Sequence, residues 1–214
     1  MTTAGAPWTH ELAQRLVSVG YREVPVELAG DPTVRAFRRS DFRVSWVFSR
    51  LHTFVIVRQT PSAQGRDVAG FSQASLRWAI DHKGGLLRGL QSGVIAYAVT
   101  VCDAADQSAL DVAARRPDKH FAAFELPVLV HPASANAATY AGTISWGLVY
   151  QQFFGEQRRL ILGDMHGGTM PASAKSRSIG VLLAILSSRS SGCRRRDESP
   201  VAGLPRLSRR PRSG

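Results

Sequence analysis

All 17 aromatic residues of this 214-residue chain lie before residue 165. A chain folds only where it buries enough apolar surface to offset the entropy of ordering its backbone, about 1–2 kcal/mol per residue. The last 50 residues lack that surface, and Ser and Arg fill 19 of their positions. The sequence therefore predicts a globular domain over residues 8–163 and a largely disordered Arg/Ser-rich tail over 164–214. Within the tail only Ile179–Leu186 is apolar. It is long enough for a short helix or strand and far short of the ~20 residues that span a bilayer.

The charge is as uneven as the aromatics. The formal net charge is +11, and residues 165–214 hold +8 of it, from ten Lys/Arg and two acids. The preceding 164 residues are nearly balanced, so the high isoelectric point describes the tail and says little about the domain. Three functional readings of the tail follow. It is an arm that grips phosphates through Arg194, Arg195 and Arg196, together with Arg209, Arg210 and Arg212. It docks on a protein partner. Or it is solvated charge with no selected role. The Arg/Ser/Gly/Pro/Ala-rich composition also resembles a GC-rich coding region read out of frame, which resequencing the 3′ end of the gene would decide.

Hydrophobic periodicity organises the domain. Leu12, Leu16 and Val19 have helical spacing behind Thr9 as N-cap, which predicts a helix over 10–19. Tyr21–Leu28 alternates, with Pro25 marking an edge strand. Arg35–Asp41 reads as a polar connector. Phe42, Val44, Trp46 and Phe48 alternate as a half-buried strand that forms a hairpin with a buried strand over Thr53–Gln59. Pro61–Arg66 reads as a loop and Asp67–His82 as a helix ended by Gly84-Gly85. Val94–Val101 is continuously apolar, as in a strand buried on both faces. Asp103 is the expected cap of a helix over 104–116. Then follow a strand over 121–130 broken near Pro127, a loop over 131–138, a short strand over 138–143 and a long helix over 144–162. The order α-β-β-β-α-β-α-β-β-α predicts an α+β fold: a mixed, partly antiparallel sheet of about five to six strands packed by about four helices. The four tryptophans fall one per element and read as core.

Few residues carry chemistry. Lys83-Gly84-Gly85-Leu86-Leu87-Arg88-Gly89 is glycine-rich and basic, and it joins a helix to a central strand. Backbone N–H groups in such a loop can cradle an anion, with Lys83 and Arg88 adding charge and Gly84 and Gly85 allowing close approach. It is not a P-loop, because Leu90-Gln91 stands where Lys and Ser/Thr are required and a helix precedes it. Its structural reading is a helix C-cap and tight turn. Arg35, Arg38, Arg39 and Arg43 cluster with Phe37 and Phe42, which suits phosphate contact with base stacking; in the structural reading the aromatics pack inward and the arginines pair with Asp31 and Asp41. The six histidines show no metal-ligand spacing, although Asp81-His82 at a helix end and His120 near Glu125 could meet in three dimensions. No Gly-x-Ser-x-Gly elbow is present, and Asp41 and Glu125 lack the lysine a metal-dependent nuclease would need. Cys102, beside Asp103, is a poor nucleophile and reads as structural.

Two cysteines support no disulfide framework, and the amino terminus has no basic start before an apolar run. The expected setting is the cytoplasm, with no membrane association and no cofactor. The leading functional reading is a non-enzymatic binding or regulatory module, because no convergent catalytic set is legible. The alternative is a small enzyme or ligand-binding protein that holds an anionic substrate at the 83–93 loop. The third is nucleic-acid binding through the tail and the 35–43 arginines.

Overall fold

A computed structural model describes residues 5–28, 30–42, 50–84, 92–163 and 165–167. The chain divides into two units, Met1–Met170 and Pro171–Gly214, and all the described residues belong to the first. The elements are α1 (Gly5–Ser18), β1 (Arg22–Val24), β2 (Arg35–Phe42), β3 (Arg50–Ala63), α2 (Gly65–His82), β4 (Ser92–Ala105), α3 (Gln107–Ala114), β5 (Ala123–His131), β6 (Asn136–Thr139), α4 (Gln151–Leu162) and the two-residue β7 (His166–Gly167). This is the α+β architecture expected from the sequence. Among the described residues no helix is long and apolar enough to cross a membrane.

The strands lie in chain order, β1 to β7. β3, β4 and β5 run parallel, joined by α2 and α3. β1–β2, β2–β3 and β5–β6 are antiparallel, and β6–β7 is parallel. Side chains alternate across the sheet. Phe37, Val55, Val57, Ile95, Tyr97, Val99, Phe124, Leu126 and Val128 face α1 and α4 and form the larger core with Leu12, Leu16, Phe153 and Ile161. Ala36, Phe54, Ile56, Val94, Ala96 and Ala98 face α2 and pack on Phe71, Leu76 and Trp78. Ala109 and Ala113 of α3 cover Leu129 and Cys102. Both faces of the central strands are covered, which is why Val94–Val101 is apolar at every position except Thr100.

Several boundaries differ from the sequence expectation, each for a physical reason. The stretch 35–41 is a strand and not a connector: Ala36 and Phe37 are fully buried on opposite faces, and each neighbouring arginine finds an internal partner. The hairpin partner of β3 is therefore 35–42, while Val44, Trp46 and Phe48 lie outside the described residues. Thr9 sits inside α1, where its hydroxyl donates to the Gly5 carbonyl (2.8 Å). β1 stops before Pro25. β3 and β4 run on to Ala63 and Ala105, so the α3 cap is Asp106, whose Oδ1 accepts from the Ala109 N–H (2.7 Å), and not Asp103. β5 passes unbroken through Pro127, which pairs opposite Ala98. The expected loop over 131–138 holds a 3₁₀ turn, Pro132–Ser134, and the start of β6, which ends at Thr139. The expected helix over 144–162 splits into a 3₁₀ segment, Ser145–Tyr150, and α4. Trp146, Gly147, Val149 and Tyr150 are all weak α-helix formers. Trp8 and Trp78 are core residues; Trp46 and the Trp146 side chain lie outside the description.

The packing of α2 on α3 depends on Gly65. A Cβ there would stand 2.8 Å from the Ser108 carbonyl oxygen and 2.7 Å from its Oγ. Gly65→Ala is expected to destabilise the domain by about 1–3 kcal/mol in urea denaturation. Gly70→Ala, five residues on in the same helix with open space around it, is expected to stabilise it by about 0.5–1 kcal/mol.

Candidate anion site at the carboxyl end of α2

α2 ends against the amino ends of β3 and β4, and one sheet side chain fixes it there. Arg38 of β2 donates to the carbonyls of His82 (3.2 Å) and Lys83. These carbonyls are unsatisfied by the helix itself and form the negative end of its dipole, so a guanidinium is a favourable partner. The same guanidinium lies 5.7 Å from the centre of the Phe54 ring. Phe54 meets Trp78 edge-on at 5.7 Å, and Trp78 stacks on His82 at 4.3 Å. Gly84 then turns the chain with φ +63°, the left-handed conformation that ends helices. The C-cap reading of Lys83-Gly84 thus describes its geometry.

The β2–β3 register sets Ser40 opposite His52, and Ser40 Oγ lies 2.7 Å from His52 Nδ1. His52 is only 5% exposed. Burial, then the positive charges of Arg38, Lys83 and Arg50, push its pKa down to about 4. Arg50 is exposed and, like Arg38, forms no ion pair among the described residues. Lys83 is buried, and its Nζ donates to the Gly84 carbonyl (3.4 Å). Ser92 pairs opposite Arg50, and its buried Oγ has no hydrogen-bond partner among the described residues. The result is a cluster of Arg38, Arg50, Lys83, His52, Ser40 and Ser92 with a strong excess of positive charge. Ser40 and His52 have the separation of a nucleophile and its base. A histidine held near pKa 4 is a weak base, however, and binding is the chemistry this arrangement favours.

Of the expected loop residues, Lys83 and Gly84 belong to this cluster, and Gly85 and Arg88 lie outside the described residues. The 35–43 arginines do not share a face. Arg35 pairs with Glu23 (2.8 Å). Arg39 pairs with Asp41 (2.8 Å) and lies 5.0 Å from the centre of the Tyr21 ring. Arg38 faces α2. Phe37 is fully buried and Phe42 is exposed. Arg43, Arg194, Arg195 and Arg196 lie outside the described residues. His120 lies 3.4 Å from Glu125, and among the described residues no group of three or more potential metal ligands, with Asp81-His82 or otherwise, comes together. Cys102 is a buried free thiol whose pKa burial and then Asp103 raise to about 11. Sequence reading missed His52, Ser40 and Arg50, and took in Ser92 only as part of the 83–93 loop. The usable signal was the pairing of 35–42 with 50–57, which the run of arginines in 35–41 concealed.

The chain matches no family model, no curated protein and no solved structure.

The depressed pKa of His52 has a consequence for stability. Between pH 6.5 and 4 the unfolded chain takes up a proton at this position that the folded chain refuses, so stability falls as the pH drops through that window. Above pH 6.5 both states are neutral and the contribution is flat. The melting temperature of the wild type is expected to fall more steeply from pH 6.5 to 4 than that of His52→Asn, as measured by circular dichroism in a low-anion buffer.

Proposed function

We propose that this domain is a binding module for an anionic ligand, with an oxyanion group such as a phosphoryl or sulfuryl group held at the amino ends of β3 and β4. The observation that carries this reading is His52: a buried imidazole on which Arg38, Lys83 and Arg50 all act as cations. Like charges gathered at one place destabilise a fold unless something offsets their repulsion. Arg38 is partly neutralised by the α2 carbonyls. Arg50, which makes no ion pair among the described residues, supplies further charge, and Ser40 and Ser92 supply hydroxyls of the kind that complete an oxyanion site. This reading keeps Lys83 and Gly84 from the sequence expectation and shifts the weight of the site from the glycine-rich loop to the strand ends beside it.

Isothermal titration with sulfate, whose charge is constant from pH 5 to 8, tests it. The wild type is expected to give a saturable heat. Arg50→Gln and Lys83→Met are each expected to weaken binding roughly threefold or more, the loss of one partly screened charged contact. Arg35→Gln, on the opposite face, is expected to change nothing. Absence of a saturable heat, or equal affinity in all three variants, would overturn the proposal.

A further inference from the structure

A cavity lies on the other face of the sheet, between α4, the inner parts of β4 and β5, the end of β6 and the segment 140–144. It has a volume of about 80 Å³. Gln151, Phe154, Gly155 and Arg158 line it from α4 at positions i, i+3, i+4 and i+7, one stripe of the helix. Tyr97, Leu126 and Ile144 close its apolar side, and Thr139 and Tyr140 its rim.

The polar groups of this lining divide sharply into spent and unspent. The Thr139 hydroxyl donates to the Pro127 carbonyl (3.2 Å), the Tyr140 hydroxyl to the Thr143 carbonyl (3.2 Å), and the Gln151 amide to the Ile144 carbonyl (3.1 Å). Tyr97 differs. It is 3% exposed, and its hydroxyl has no hydrogen-bond partner among the described residues. A buried hydroxyl without a partner costs about 1–3 kcal/mol, so one that persists in a fold calls for an explanation. Burial and then the neighbouring Tyr21 raise the Tyr97 pKa, and Arg158 is the nearby cation acting against that rise. Arg158 is half-buried and makes no hydrogen bond or ion pair among the described residues. Among the described residues that line the cavity it is also the only charged side chain, and none of them is a carboxylate. Arg158 is thus a cation, and the Tyr97 hydroxyl a possible donor, set against apolar walls.

We propose that this cavity is a binding site for a small organic carboxylate, with Arg158 pairing the carboxylate, the Tyr97 hydroxyl donating to it and Leu126, Ile144 and Phe154 covering a short apolar tail. The planar guanidinium matches a carboxylate through two parallel N–H donors. Size restricts the tail. A cavity of about 150 Å³ takes a benzene ring, so this one takes a molecule of the size of acetate or propionate. The site is independent of the basic cluster at the end of α2, from which the sheet separates it.

Propionate is the probe, with propionamide as its uncharged counterpart and sodium chloride at matched ionic strength as the salt control. Isothermal titration of the full chain is expected to show saturable propionate binding with a dissociation constant on the order of 1 mM, reasonable for five heavy atoms. Propionamide is expected to bind at least tenfold more weakly, and chloride to give no saturable signal. Tyr97→Phe keeps the ring and removes only the orphan hydroxyl, so it folds with unchanged or higher melting temperature; its propionate affinity is expected to fall roughly fivefold. Arg158→Gln is expected to lower affinity at least tenfold, while Arg50→Gln leaves it unchanged. The proposal is overturned if wild-type protein shows no saturable propionate binding, if propionamide binds as well as propionate, or if either Tyr97→Phe or Arg158→Gln binds like wild type. Loss of propionate binding in Arg50→Gln would overturn it too, by moving the carboxylate to the other site.

Discussion

The parallel pairing of β3 with β4 is the constraint on which the rest of the structure depends. The two strands run side by side from Arg50–Ser92 to Ala63–Ala105. Their central residues are buried on both faces, with Val55, Ile56, Ile95, Ala96 and Val99 all fully removed from water. A strand buried on both sides needs cover on both sides. Parallel neighbours also require a crossover, which α2 and α3 supply on one face. That leaves the other face to α1 and α4. The amphipathic helices, the two main cores and the order of the sheet follow from this single requirement.

Placing α2 across the sheet creates its own problem, because the last carbonyls of the helix have no partner within it. Arg38 holds those carbonyls. A second sheet arginine braces the first turn of the helix: Arg58 donates to the Asp67 carbonyl (2.9 Å) and covers the Phe71 ring at 4.4 Å. Much of the domain's positive charge is therefore structural. Arg35 and Arg39 are likewise occupied with Glu23 and Asp41. Two cations stand apart from these: among the described residues Arg50, near the buried His52 at the amino ends of β3 and β4, and Arg158, in the cavity across the sheet, make no ion pair.

The fold was largely legible, because its strongest signals are local. The apolar run over 94–101 announces a doubly covered strand, and the spacing of Val68, Phe71, Ser75 and Trp78 announces α2. Legibility failed where a side chain's role depends on a distant partner. Arg35, Arg38 and Arg39 look like loop residues until Glu23, the end of α2 and Asp41 are placed beside them. Asp103 and Asp106 offer the same capping chemistry, and only the length of β4 decides between them. The candidate site was half visible. Lys83 and Gly84 stand out as a basic glycine turn, whereas His52 became meaningful only through a strand register that no local pattern encodes. Tyr97 reads as core from sequence, and the missing partner of its hydroxyl is a fact of packing alone.

The most direct measurement is the titration of the His52 imidazole by NMR, with and without saturating sulfate. Without the anion its pKa is expected at about 4, well below the ordinary histidine value, because of burial and the surrounding cations. With sulfate bound beside Arg50 and Lys83 the positive field is offset, and the pKa is expected to rise by a unit or more, with binding correspondingly tighter at low pH. A His52 that titrates near 6.5 in the free protein, or one that does not respond to sulfate, would contradict the account.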